Sequence, residues 1–368
     1  MRLKKQPPDV LIFLTAILLL SIGMVMVFSS SGVPSSGGSQ GAFFYALFYL
    51  KKQLLWAAMG FIAMFLAMNV DYFRIKRLAL PILLAGIALL VLVLFFEPTK
   101  GSSRWIPLGP MNLSPSEVIK ICLVFFMALS LSQHGEKIQS LIHGIGPHLL
   151  LLGLVVGLIL LQPDLGTAFV VAGTTYIMFF AAGARYSHLA ILAGLGVMGL
   201  AAAIAVAPYR MARITAFIDP WASPLEEGFQ IIQSLYALGS GGLFGVGLGR
   251  SHQKLFYLPE QNTDFIFSIL GEELGYLGVL TVLILFFILV WRGLRTALTC
   301  PDPFGSLLAT GITSMIGLQA IINIGVVSGS LPITGITLPF ISYGGSSLLF
   351  TMLGVGVLLN ISRYSTYR

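Results

Sequence analysis

Long apolar runs, separated by short polar or Pro/Gly-containing breaks, dominate the chain. A membrane-spanning helix needs roughly 20 mostly apolar residues. Ten stretches qualify, over about 10–29, 53–70, 78–97, 115–132, 145–162, 166–184, 188–208, 264–291, 305–329 and 340–361. The pattern predicts an all-α integral membrane protein of ten transmembrane helices, forming one polytopic domain over 1–368. One interval breaks the rhythm. Residues 209–263 carry Arg210, Arg213, Asp219, Glu226, Glu227, Arg250, Lys254 and Glu260 among many aromatic and aliphatic side chains. That mixture is too apolar for disorder. It predicts a large extracytoplasmic loop between helices seven and eight, built of short helices.

Composition narrows the function classes. Hydrophobic residues make up 57% of the chain and charged residues 10%, against about 25% charged in an ordinary soluble domain. A soluble enzyme is excluded. Cys122 and Cys300 fall at different membrane levels, so neither a disulfide framework nor a bridge between them is expected. The net charge of +7 does not point to nucleic acid, because cations of a membrane protein gather in its cytoplasmic loops. With the N-terminus inside, the inner segments hold twelve Lys and Arg and the outer segments eight, four of them in the long loop. Both termini are therefore expected in the cytoplasm. The first run is longer than the core of a cleaved signal peptide and is expected to be retained.

Some motifs carry no chemistry here. Gly194, Gly196 and Gly199 match the dinucleotide-binding G-x-G-x-x-G, but they lie inside an apolar run with no strand before them. Close helix packing is the expected reason for them, as for Gly153 and Gly157 at small-xxx-small spacing. The five histidines are scattered and form no zinc motif.

Ionisable groups within or beside spans are costly and point to function or to pairing. Glu117 and Lys120 are three apart and share a helix face; they read as an ion pair or as a contact for an anionic head group. Asp164 sits in a tight outer turn, as a helix cap or as the partner of Lys51 or Lys52. Asp264 opens span eight, reading equally as a helix N-terminal acid and as a partly desolvated base. Glu272 and Glu273 lie two turns further in, and at 100° per residue they cannot both share the face of Asp264. The small, polar stretch at Ile341–Ser347 allows close backbone approach or lines a cavity. Taken together, Arg210, Arg213, Lys254, Glu260, Asp264, Glu117 and Lys120 crowd the outer half. Cations there would clamp phosphates, and the carboxylate would deprotonate an attacking hydroxyl. The residues alone imply a membrane enzyme or carrier for an anionic, polyprenyl-type lipid at the outer leaflet.

Several long segments, in order, make the sequence familiar: SRWIPLGPMNLSPSEVIK, QPDLGTA, APYRMARITAFIDPW, GFQIIQSLYALGSGGLFGVGLG, LPEQNTDFIFSILGEELG, NIGVVSG, LPITGITLPFISYGGSS and NISRYS. From about residue 9 to 366 the chain resembles the SEDS family, the RodA/FtsW/SpoVE group of bacterial peptidoglycan glycosyltransferases, with AFIDPW and the GFQIIQSLYALGSGGLFG stretch closer to the FtsW/SpoVE branch. The resemblance implies a protein of the bacterial plasma membrane that polymerises lipid II into glycan strands and releases undecaprenyl pyrophosphate. It implies Asp264 as general base. Glu117, Lys120, Arg210 and Arg213 would be substrate contacts, to which the outer-face reading adds Lys254, Glu260 and Ser342. The resemblance also implies an ion pair between Asp164 and a cation before span two, here Lys52 in place of an arginine. The implied partners are lipid II, membrane lipids and a class B penicillin-binding protein that supplies the transpeptidase. No ligand cluster marks a divalent cation, whose involvement stays open. Two other readings stand beside the polymerase, a lipid II flippase and a non-catalytic scaffold for the transpeptidase. A flippase needs polar groups across the whole bilayer, and only Glu272 and Glu273 lie deep.

Overall fold

The computed structural model describes residues 6–32, 38–96, 104–109, 111–255 and 258–365. Arg2, Lys4, Lys5, Lys100 and Arg368, which enter the charge count, lie outside them. The described chain is helical apart from one short hairpin. Nine of its helices are long and apolar enough to cross a membrane. They include α1 (Val10–Ser31), α2 (Gly38–Asn69), α3 (Tyr72–Val93), α4 (Pro115–His134), α5 (Gly146–Leu161, continued back to Leu141 by a π turn) and α7 (Tyr186–Ala205). The hairpin, β1 (Ile106–Leu108) and β2 (Met111–Leu113), precedes α4, and α6 (Leu165–Ala181) precedes α7. Two short helices, α8 (Pro208–Ile218) and α9 (Phe229–Ser240), lie in the 209–263 region. Three long ones follow: α10 (Ile266–Thr299), α11 (Pro303–Val327) and α12 (Gly345–Ser362). The sixth predicted span, 166–184, corresponds to α6, which at 17 residues reaches about 26 Å, just short of a bilayer core of about 30 Å.

The helix faces explain the packing. α11 is apolar nearly all round and is buried on nearly every face, as such a helix must be; α4 and α12 pack beside it, and α2, α3, α6 and α10 enclose them. α7 lies at the periphery, with Leu189 its only buried residue. This corrects the packing role expected of the glycines. A Cβ added at Gly153, Gly157, Gly194, Gly196 or Gly199 would meet nothing within 4 Å. Close approach occurs elsewhere: a Cβ at Gly23 would lie 2.3 Å from the Phe340 carbonyl, and one at Gly356 2.4 Å from that of Met64. Spacing identifies a small-residue face, not what lies against it.

Span eight is also not continuous. Gly275, at φ +67° and ψ −167°, breaks α10. The 242–247 backbone fills the break: Val246 and Gly247 N–H donate to the Glu272 and Glu273 carbonyls at 3.0 and 3.1 Å, and Tyr276 and Leu277 N–H donate to the Gly242 and Leu243 carbonyls at 2.9 and 3.2 Å. Irregular backbone at membrane depth is tolerated only where protein re-satisfies it, and this loop does so. A Cβ at Gly275 would sit 2.3 Å from Gly245 N, so only glycine suits both the dihedral and the fit.

Candidate active site

The N-terminal ends of α4, α6 and α10, the C-terminal end of α11 and helix α8 converge on one side of the bundle. The extended segment 331–338 threads between them. Asp264 closes a turn there, in which Thr263 and Phe265 N–H donate to the Glu260 carbonyl at 3.1 and 3.4 Å. Three successive carbonyls are then captured from outside. Tyr343 N–H donates to Asn262 O at 2.8 Å, Ser342 Oγ to Thr263 O at 2.6 Å, and Asn323 Nδ2 to Asp264 O at 2.7 Å. The backbone is pinned while the half-buried carboxylate is left to itself: among the described residues no hydrogen-bond donor reaches it. Its Oδ2 faces Gly335, where an added Cβ would be 3.6 Å away. Gly335 is at φ +73°, a conformation that strains any residue but glycine.

Burial is the largest influence on the Asp264 carboxyl and raises its pKa. Glu260 raises it further, Arg104 and Arg213 pull it down, and Asp164 opposes them; the outcome is about 7. A carboxylate so tuned is half-ionised near neutrality and can accept a proton from a hydroxyl.

The cations reach this point by different routes. Arg213, on α8, donates from Nη1 to the Ile333 carbonyl at 3.4 Å. Arg104, just before β1, donates from Nε to Gln162 O at 3.1 Å and from Nη2 to Pro163 O. Its Nη1 lies 3.8 Å from Asp164 Oδ2. Asp164 caps α6 through the N–H and Oγ1 of Thr167, both at 3.0 Å. The expected Lys52–Asp164 pair is therefore corrected. Lys52 stands over the Phe48 ring at 4.5 Å, and Arg104 takes its place, its planar fork donating to two carbonyls and lying beside the carboxylate.

Lys120 is nearly fully buried. It pairs with Glu117 at 2.8 Å and donates to Gln319 Oε1 at 2.7 Å. Arg210 turns back: it donates to Ala203 O and to the Tyr209 hydroxyl, each at 2.8 Å, closing the end of α7. Two further expected substrate contacts are engaged within the protein. Ser342, expected to bind substrate, is buried and spends its hydroxyl on Thr263 O and on Leu338 N–H (2.8 Å). Lys254, also expected to bind substrate, is buried against Glu273 at 3.0 Å and donates to Ser29 O at 3.1 Å. Glu260, the remaining loop residue of that group, is exposed beside Asp264. Sequence reasoning passed over Arg104 as one more loop cation; the signal was its place in the SRWIPLG motif. Among the described residues, no group of three or more His, Cys, Asp or Glu side chains is placed to hold a metal ion.

The fold and this site define a class: a polytopic helical membrane protein with a carboxylate that no donor among the described residues reaches and with Arg104, Arg213 and Lys120 gathered at one end of its helices. The chain belongs to the FtsW/RodA/SpoVE family of cell cycle proteins, whose model matches residues 9–367. It is 49% identical to stage V sporulation protein E of Bacillus subtilis (strain 168) over 100% of both chains. It is 45% identical to a probable peptidoglycan glycosyltransferase FtsW of Geobacter sp. (strain M18), over 96% of each. Among solved structures it resembles a chain of a peptidoglycan synthase complex that coordinates polymerization and crosslinking, with TM-score 0.79, 33% identity, and 97% of this chain and 98% of that one covered. It also resembles the rod shape determining protein RodA of Thermus thermophilus, with TM-score 0.71, 30% identity and 98% of each covered.

Proposed function

We propose that this protein is a peptidoglycan glycosyltransferase of the bacterial plasma membrane that polymerises lipid II into glycan strands. The observation that carries the reading is Asp264, a carboxylate with a pinned backbone, no donors among the described residues and cations close by. In the proposed step Asp264 takes the proton of the acceptor sugar hydroxyl. The freed oxygen forms a bond to the anomeric carbon of the donor, and the bond from that carbon to pyrophosphate breaks with inversion. The electron pair leaves on undecaprenyl pyrophosphate. Arg104, Arg213 and Lys120 stabilise the charge that develops on the leaving group. The reading takes ten crossings, both termini inside and the 209–263 loop outside, and with them the chemistry at the outer leaflet. A class B penicillin-binding protein is the partner this reading requires.

The transport alternative depends on Glu272 and Glu273 as deep polar stations. Both are closed off by the 245–254 loop, which favours the polymerase. The test is glycan-chain formation from purified lipid II by the protein with its transpeptidase partner. Asp264→Asn is expected to abolish polymer in an intact complex. Equal polymer from parent and variant would remove Asp264 from the mechanism, and no polymer from either would favour transport or scaffolding.

A further inference from the structure

Two amides stand four residues apart on α11. Both are almost fully buried, and neither enters the step proposed above. Asn323 donates twice from Nδ2, to the Asp264 carbonyl and to the Ile336 carbonyl, each at 2.7 Å. Gln319, one turn earlier on the same face, accepts from Lys120 on Oε1 at 2.7 Å and donates from Nε2 to the Thr337 carbonyl at 3.0 Å. The two amides therefore hang successive carbonyls of one segment, 336 and 337, from one rigid helix. Each holds a different charged group with its other bond. The same segment presents Gly335 to Asp264 Oδ2 and accepts Arg213 at Ile333 O. A side chain with these bonds does more than fill space. The Asn323 Oδ1 atom is buried without a partner, a cost a core position would avoid by being apolar.

We propose that Asn323 is a positioning residue for Asp264, and that Gln319 plays the same part for Lys120, so that α11 sets the spacing between the proton-accepting and cationic halves of the site. The proposal rests on the reading of Asp264 as base. Asn323 holds the aspartate backbone and the facing loop at a fixed separation. Without it the turn at 262–264 keeps two of its three clamps, and the carboxylate gains freedom to swing towards water. A displacement of about 1 Å at a reacting group costs on the order of 10²-fold in rate. Gln319 touches the cation and not the acid, so its loss falls on the stabilisation of the leaving group.

The test is steady-state polymerisation of lipid II by the full-length protein with its partner, as a function of pH and lipid II concentration. Asn323→Leu keeps the size and removes both donors. It is expected to lower kcat by about 10–100-fold with little change in KM, and to move the acid limb of the kcat profile to lower pH as the carboxylate becomes hydrated. Gln319→Leu is expected to lower kcat with the acid limb unmoved. Thermal unfolding of each purified variant serves as the folding control. If Asn323→Leu does not fold, Asn323→Ser, with one donor, is expected to show the same limb shift in smaller measure. An acid limb at the parent position in the folded Asn323 variant overturns the proposal, whatever the rate, because a merely structural residue changes how much enzyme is active and not its pH dependence. A Gln319→Leu limb shift equal to that of Asn323→Leu overturns the division of roles. Full activity of Asp264→Asn is a separate result that removes the base itself.

Discussion

Two groups of carboxylates lie within ten residues of each other and are treated in opposite ways. Glu272 and Glu273 are almost fully buried, and each of their carboxylate oxygens already accepts a hydrogen bond. Glu272 accepts from Ser251 Oγ at 2.5 Å, His252 N–H at 2.8 Å and Gln253 N–H at 3.4 Å. Glu273 accepts from Lys254 Nζ at 3.0 Å, Ser29 Oγ at 2.5 Å and Ser251 N–H at 3.4 Å. Asp264 is less buried and receives no donor from the described residues, although its backbone is held at three consecutive carbonyls. The first arrangement fixes a loop and leaves no acceptor free for chemistry. The second fixes the main chain and keeps the carboxylate available. Which acid is chemical follows from where the donors are spent, more than from depth alone.

The largest test of this contrast removes the charge of Asp264. Asp264→Asn is expected to cut polymerisation by about 10²–10⁴-fold, the usual worth of a general base, while the protein becomes more stable at pH 8. The sign follows from the raised pKa. Between the ordinary value of 3.8 and the native value of about 7, the native state holds a proton that the unfolded chain has released. Stability therefore falls as pH rises through that window, and a neutral amide removes the penalty. Thermal unfolding at pH 8 beside an activity assay checks both halves. The Glu273 region should give the opposite pattern. Lys254→Met strands a buried carboxylate, and breaking such a pair costs about 3–5 kcal/mol. A large drop in melting temperature is expected, with much of it recovered in the Lys254→Met, Glu273→Gln double variant. Unchanged melting in Lys254→Met would dissolve the contrast.

Next in size is Arg104→Lys. The charge remains near Asp164, but the bonds to the Gln162 and Pro163 carbonyls cannot both be kept by an ammonium. A loss of roughly 1–3 kcal/mol is expected, at the level of one charge-assisted hydrogen bond, read by thermal unfolding. Lys52→Met is expected to leave stability within about 0.5 kcal/mol, as a surface substitution does.

How much of this was legible in the chain differs by kind of feature. Apolar run length placed the long helices, because hydrocarbon thickness imposes the period and every span must meet it. The TDFIF stretch singled out Asp264, and Glu117 and Lys120 were legible as a pair because three residues on a helix make a face. What stayed hidden depends on partners distant in the sequence. Nothing local to Lys254 shows that Glu273 will reach it, and the angles on an ideal helix, which separate Glu272 and Glu273 from the face of Asp264, do not show that Glu273 meets Ser29 on α1 or that the 251–254 loop comes to both. Gly275 looked like any other glycine of an apolar run. Its role exists only because 242–247 enters there. Arg104 and Lys52 were equal as charges, and only the geometry of the Asp164 turn, which offers two carbonyls beside the acid, separates a fork from a point charge.

The smallest and most specific test concerns Glu260, the exposed acid that closes the turn before Asp264. Its negative charge is the second cause, after burial, of the raised Asp264 pKa. Its Oε2 accepts from Thr263 Oγ1 at 3.2 Å, a bond the amide oxygen of Glu260→Gln can still accept, and the backbone of the turn is left in place. The variant is expected to fold as the parent does and to keep its kcat at pH 8, where Asp264 is ionised in both. The acid limb of its pH profile should move down from about 7, because one source of repulsion against the ionised form is gone. At pH 6 the variant is therefore expected to outpace the parent. The gain should shrink at high salt, since an exposed charge is screened while burial is not. A limb that stays put would mean that burial alone sets the Asp264 pKa. The contrast with Glu272 and Glu273 would then rest entirely on the absence of donors at its carboxylate.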